Sequence, residues 1–409
     1  MSKKLLWSLL IVVALLLAAC GGGPAGGPAS SSEETKAAAA APTEESSAEA
    51  EDTSSSEEMA TEETQAEPAG PQLAEELSVY NWADYIDEEL LTKYEDEYGV
   101  KILYDTYASN EDLLAKLQAG ATGYDVIFPS DYMVSQMIEL GLLAEIDTNA
   151  IPNFANIADE FKSAPFDPGN KHCVPYQWGT TGLAYRAGNA FFDENPPDSW
   201  SYLFEPDLLK QYSDGGINVL NDQRELLAAA LVYSGYEGNS TNEDEIAQAR
   251  DLIVKAKPYW KTFNSEDYDD TLLIPDEVVL SHAWSGDAAN AYWSTYDDTT
   301  EDGNWYYSIP KEGAVKWLDN ICVTASSERY DTALHFINYL LDAENGAAIT
   351  NFTYYASPNE AAKEYIAEEI LNDQSIYPPP EVEAKLYWLT EVGDAIFRYD
   401  EAWTVIKGQ

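Results

Sequence analysis

Apolar and polar positions change rhythm near residue 77, and from there two periods take turns. Residues 77–81, 100–107 and 125–128 are short apolar or alternating runs, the pattern of strands. Between and after them, 87–98, 110–119 and 132–140 repeat apolar residues at three- and four-residue intervals, the pattern of amphipathic helices. Strand and helix in strict turn predict a parallel sheet with right-handed crossovers. Residues 174–185 form a long extended run punctuated by Gly179 and Gly182, placed to carry the chain from one domain into the next. Beyond it, 217–220 and 277–283 read as strands, and 224–234, 244–257 and 330–341 as helices. Roughly 330 residues lie beyond residue 77, more than one core usually holds, so two domains are expected.

Ahead of this stretch the chain reads differently. Lys3-Lys4, an apolar run from Leu5 to Leu17 and small residues ending at Cys20 have the layout of an export signal, and the run is short for a membrane span. Leu17-Ala18-Ala19-Cys20 resembles a bacterial lipobox, in which the Cys20 thiol is lipidated and becomes the new N-terminus; an ordinary cleaved signal is the alternative. Residues 21–75 are Gly, Ala, Ser, Thr, Pro and Glu with few large apolar side chains, so they form an acidic disordered linker between anchor and folded part.

The formal net charge is -51, from 22 Lys+Arg against 73 Asp+Glu. Such acidity argues against nucleic acid as a partner and suits cationic ligands. His172, His282 and His335 have no metal-ligand spacing, so no metal site and no cofactor is expected. Apart from Cys20, the thiols are Cys173 and Cys322; an exported chain permits a bridge between them, and otherwise both are small buried hydrophobes.

Three distant segments place an acid two or three residues after a tryptophan: Trp82-Ala83-Asp84, Trp284-Ser285-Gly286-Asp287 and Trp317-Leu318-Asp319. A fourth is Trp388-Leu389-Thr390-Glu391. With 11 Trp among so many acids, chance alone supplies about this number, so position and not count must carry the argument. Trp82 to Tyr85 follows the first predicted strand and Ser130 the third, which puts both on the carboxyl rim where such sheets bind ligands. Trp284 to Asp287 also follows a predicted strand. Brought together, these segments would make an aromatic box with acidic walls, fit for an organic cation.

Several stretches, in order, resemble the extracytoplasmic polyamine-binding proteins of spermidine/putrescine ABC importers. They are Tyr80-Asn81-Trp82-Ala83-Asp84-Tyr85-Ile86, Tyr124 to Ser130, Val174 to Gly179, Trp284 to Asp287, Pro310 to Gly313, Tyr355 to Asn359 and Tyr377-Pro378-Pro379. The resemblance implies a two-domain α/β fold of the periplasmic-binding-protein type (type II), hinged about a central cleft, in a protein that is not an enzyme. It implies that Trp82, Tyr85, Trp284, Trp317 and Tyr355 surround the ligand, that Asp84, Asp287 and Asp319 take its charged ends, and that Ser130 and Glu225 add hydrogen bonds or charge, with Asp222 a weaker candidate. Ala83 stands where close relatives carry a hydroxyl residue. The expected partners are a polyamine, putrescine or spermidine, and the permease and ATPase subunits of an importer. The expected protein is a monomer, tethered to the outer side of the cell membrane through its lipid. The expected lobes are 76–176 with 284–309 and 177–283 with 310–365, followed by a helical segment, 366–409, packing on both.

Other readings of the same residues stay open. Ser130 or Asp131 could cap the helix beginning at 132, and Asp222 with Glu225 matches a capping box. Trp178 serves equally as core or cleft wall, while Asp131 and Tyr132 stay second-tier. Paired acids with aromatic platforms also suit an exported glycoside hydrolase. The same fold could bind a sugar, an amino acid or a metal chelate, and the tether alone would suit an adhesion protein.

Overall fold

A computed structural model describes residues 72–120 and 123–408; the leader, Cys20 and the linker up to residue 71 lie outside them. No helix among the described residues is long and apolar enough to cross a membrane. The described residues form ten strands: β1 Glu76–Trp82, β2 Lys101–Tyr107, β3 Val126–Ile127, β4 Cys173–Arg186, β5 Ile217–Val219, β6 Thr262–Phe263, β7 Leu280–Trp284, β8 Trp305–Ser308, β9 Ala314–Val323 and β10 Leu386–Tyr387. They run in the order β2-β1-β3-β9-β4-β7-β5-β6, with β8 beside β4 and β10 beside β9.

The opening stretch folds as its periodicity predicts. Strands β2, β1 and β3 are parallel, with helix Glu88–Tyr98 between the first two in sequence, capped by Asp87 and ended by Gly99 at φ 70°. Helices Asn110–Gln118 and Asp131–Glu139 follow β2 and β3. The sheet is not parallel throughout, because β9 and β4 enter antiparallel beside β3.

Strand β4 explains the two-lobed shape. Its first half pairs with β9, ending at Thr180 opposite Lys316, and its second half pairs with β7, starting at Thr181 opposite Trp284. One core holds the side chains of β1, β2, β3 and the near halves of β4 and β9; a second surrounds Leu183, Ile217, Leu227 and Leu280. Gly179 sits at the change of partner because a Cβ there would lie 2.5 Å from the Trp317 ring. At the far end of the same strand pair, Cys173 and Cys322 face each other as cross-strand neighbours and form a disulfide, with Cα atoms 4.4 Å apart.

The buried clusters divide the chain differently from the expected partition. Residues 284–309 pack with the second lobe, where Ala288, Ala291 and Trp305 join Tyr268 and Leu273. Most of 310–365 belongs to the first lobe, as Leu334, Phe336, Ile349 and Tyr355 show. The return crossing is β9, about thirty residues later than Trp284, because helix Ser285–Ser294 stays on the face of β4 and β8. Residues 366–376 stay in the first core, then Leu389 closes it while Tyr399, Ala402 and Ile406 of helix Ile396–Gly408 pack into the second. The C-terminal segment thus lies on both lobes.

Candidate ligand cleft between the lobes

On the first lobe, Trp82 ends β1 and its indole N–H donates to the Phe128 carbonyl at 2.9 Å. Its ring meets Tyr107 at 4.7 Å and, across the cleft, Trp284 at 6.2 Å and 70°. The turn that follows puts Asp84 at φ 49°, a left-handed conformation Asp tolerates, and aims its carboxyl at the mouth. Trp317 and Asp319 lie two apart on β9, so they share a face. The Tyr85 hydroxyl donates to Asp319 Oδ2 at 2.8 Å, while Asp319 Oδ1 is buried without a hydrogen-bond partner. Burial pushes the Asp319 carboxyl up to about 7, against the lowering influence of the Ser130 hydroxyl beside it and of the Tyr85 bond.

On the second lobe, β7 runs directly into helix Ser285–Ser294, with Trp284 at its N-cap position and Asp287 in its first turn. The Tyr355 hydroxyl donates to Asp287 Oδ1 at 2.7 Å. Gly286 allows this approach, since a Cβ there would sit 2.5 Å from the Tyr355 ring. Tyr355 is itself held by the next residue, Ala356, whose N–H and carbonyl both bond to Trp178 on β4. Its ring meets Trp317 at 5.1 Å and Tyr85 at 5.4 Å, both edge-on. Burial, with Asp269 nearby, raises Asp287 to about 8. At the mouth, burial and the Asp267 carboxyl within hydrogen-bonding reach raise Asp84 to about 6.

The inner wall comes from helix Gln223–Tyr233. Asp222 is its N-cap, accepting from the Glu225 backbone N–H at 3.0 Å. Only half a capping box forms: the Glu225 carboxyl turns away to accept from Thr181 Oγ1 at 2.9 Å, and its Oε2 is buried without a partner. Ser130 occupies an N-cap position without using its side chain as a cap. Its hydroxyl accepts instead from Asn110 Nδ2 at 3.0 Å.

Trp82, Asp84, Tyr85, Ser130, Glu225, Trp284, Asp287, Trp317, Asp319 and Tyr355 therefore all line one cleft of about 320 Å³, joined by Asp222. Glu391 is exposed and does not. Asp131 and Tyr132 are buried beneath the wall. Trp178 faces away from the cleft and packs against the Lys316 ammonium at 4.4 Å. Sequence reasoning missed the acidic loop after β6, where Glu266, Asp267, Asp269 and Asp270 line the mouth, together with Asn110 and Asn290. The signal is four acids in five residues, but no tryptophan accompanies them to set them apart from solvent-facing charge. Asn290 Nδ2 donates to Asp269 at 2.8 Å and orients that carboxyl. No three His, Cys, Asp or Glu side chains among the described residues are arranged to hold a metal ion.

The chain matches the bacterial extracellular solute-binding protein family over residues 89–376 and belongs to that family. Its two-lobed α/β architecture is the type II periplasmic-binding-protein fold. It is 36% identical over 337 residues to the putrescine-binding periplasmic protein SpuD of Pseudomonas aeruginosa, covering 81% of this chain and 91% of that protein. The solved lipoprotein Tp0655 (TpPotD) of Treponema pallidum superimposes with a TM-score of 0.69 at 29% identity, covering 82% of this chain and 100% of that one. The spermidine/putrescine ABC transporter substrate-binding protein PotD of Streptococcus pneumoniae does so with a TM-score of 0.66 at 31% identity, covering 82% and 99%.

Proposed function

We propose that this protein is the lipid-anchored, extracytoplasmic receptor of an ABC importer and that its cleft captures a polyamine of the putrescine or spermidine class. One observation carries the reading: every charged side chain lining the cleft is a carboxylate, and these acids share the cleft with the rings of Trp82, Trp284, Trp317, Tyr85 and Tyr355. Carboxylates withdrawn from water without cations cost several kcal/mol each, so a ligand bringing ammonium groups is favoured over a sugar or a neutral amino acid. Tyr85 and Tyr355 each satisfy one oxygen of Asp319 or Asp287 and orient the carboxyl toward the ligand. Aromatic faces cover the methylenes and add about 0.5–2 kcal/mol for each well-placed ammonium.

Binding needs walls from both lobes, so the ligand favours their closed arrangement, and closure is what a permease would read. ATP hydrolysis belongs to other subunits. Similarity to a putrescine-binding periplasmic protein and to a spermidine/putrescine ABC transporter substrate-binding protein supports both the ligand class and the importer, and a relative solved as a lipoprotein supports anchoring through Cys20. A thermal-shift and calorimetry panel of putrescine, cadaverine, spermidine and spermine against sugars and amino acids tests the reading. Stabilisation by the amines alone is the expected result; stabilisation by a sugar, or its turnover, would overturn it.

A further inference from the structure

Arg224 lies between two cleft-lining acids, Asp222 and Glu225, yet does not reach the cleft itself. It is 2% exposed. Its guanidinium lies 5.4 Å from the Tyr132 ring of the first lobe and 5.0 Å from the Tyr399 ring of the C-terminal helix. One Nη donates to the Thr390 carbonyl at 2.9 Å and to Asn239 Oδ1 at 3.0 Å, while Nε is buried without a partner. A cation in the first turn of a helix opposes the helix dipole, so its placement calls for compensation from elsewhere. That compensation is spread over the acids around it. Asp222 and Glu225 stand on its own element, Asp131 and Glu111 face it from the first lobe, and Tyr132, Tyr399 and Tyr387 complete its surroundings. Burial pushes Asp222, Asp131 and Glu111 upward, and the Arg224 charge opposes this in all three.

We propose that Arg224 is a positioning residue of the polyamine site: a buried guanidinium on the second lobe that seats on the Tyr132 ring of the first as the lobes meet, and so holds the Asp222–Glu225 turn toward the ligand. The inference rests on the polyamine reading above. Arg suits the role better than Lys because its planar group stacks on rings while keeping its charge. It gives one residue two tasks, bracing the lobes against each other and setting a positive charge beside Asp222 that opposes the effect of burial there.

Full-length Arg224→Met, Arg224→Lys and Tyr132→Leu are compared with wild type by calorimetry with spermidine and putrescine. Each is measured at pH 6 and pH 8, in two buffers of different ionisation enthalpy, so that protons released on binding are counted. Arg224→Met is expected to weaken binding about tenfold or more at pH 6 and less at pH 8, with more protons released. Arg224→Lys should restore the wild-type proton count but remain several-fold weaker. Tyr132→Leu, which removes the stack and the hydroxyl bond to Glu111 but leaves the Arg224 charge, should weaken binding several-fold at both pH values. A folded Arg224→Met with an equal loss at both pH values and an unchanged proton count would overturn the proposal, as would wild-type affinity in that variant. Should Arg224→Met fail to fold, wild-type affinity in Tyr132→Leu overturns it alone. Absence of polyamine binding by wild type would instead fell the functional reading, and this inference with it.

Discussion

At Lys316 the chain holds an ammonium of its own. The Nζ lies 4.4 Å from the Trp178 ring, 5.3 Å from Trp388 and 5.4 Å from Phe161, and donates to Glu383 Oε1 at 2.6 Å. Three residues along the same strand, Asp319 stands among Trp317, Tyr85 and Tyr355 with one oxygen unpartnered, in a cleft whose charged side chains are all acidic. The two regions use the same parts, ring faces and a carboxylate, but only the first contains the cation that completes them. In the first, charge is neutralised on folding. In the second, folding confines like charges and leaves their neutralisation to something outside the chain. A buried acid without a cation is a cost to the fold and an opportunity for a ligand.

The contrast predicts opposite signs for two substitutions. Asp287→Asn should weaken polyamine binding about tenfold or more by calorimetry, since it removes one partner of a desolvated charge pair. The same change should raise the ligand-free thermal midpoint, because it relieves a carboxyl crowded by Asp269 and burial. Trp284→Ala should match the loss of affinity. If Asp287→Asn lowered stability and left binding intact, the cleft would be no different in kind from the surroundings of Lys316.

The second expected effect is on pH. Asp319 and Asp287 titrate at about 7 and about 8 in the folded chain, above the ordinary carboxylate value near ~4. A carboxyl raised on folding stabilises fully below its unfolded value, and that contribution disappears as pH climbs through the folded one. The ligand-free midpoint should therefore fall between pH 5 and pH 8.5 on account of these groups. Polyamine binding should strengthen over the same interval, up to about tenfold per pH unit for each proton released. Scanning calorimetry with and without spermidine checks both slopes, and equal slopes would remove the link between these acids and the ligand.

Lys316→Met should do the reverse of Asp287→Asn, lowering stability by about 1–3 kcal/mol in urea unfolding, since Glu383 loses its partner but remains partly exposed. Its polyamine affinity should stay within about threefold of wild type. Smallest of all, Glu391→Gln should change neither quantity measurably. Glu391 has the Trp-x-x-acid spacing yet is exposed and away from the cleft, so any effect on binding would mean that local spacing alone makes a site.

Much of the first lobe was legible from periodicity, and the strands and helices up to Glu139 fall within a few residues of their predicted spans. The error in lobe assignment has a physical origin. Trp284 ends one apolar run and Trp317 stands at the head of another, and nothing local says that the first run stays with β4 while the second carries the chain back. That depends on where β4 exchanges β9 for β7, a choice made by packing around Gly179 and Thr180. The loop from Glu266 to Asp270 was missed for a related reason, because acids in a polar turn look like solvent-facing charge until the opposite lobe is placed over them.

By itself the sequence determined the alternation of strand and helix, the acidic character, and the ring-and-acid segments that carry the chemistry, because each is a property of near neighbours. Only the tertiary structure decided that Asp84, Asp287 and Asp319 converge while Glu391 does not, that Cys173 meets Cys322, and that Lys316 is enclosed by Trp178 and Glu383. Those outcomes depend on strand order and on the passages of β4 and β9 between lobes, which bring together side chains from 67 to more than two hundred residues apart.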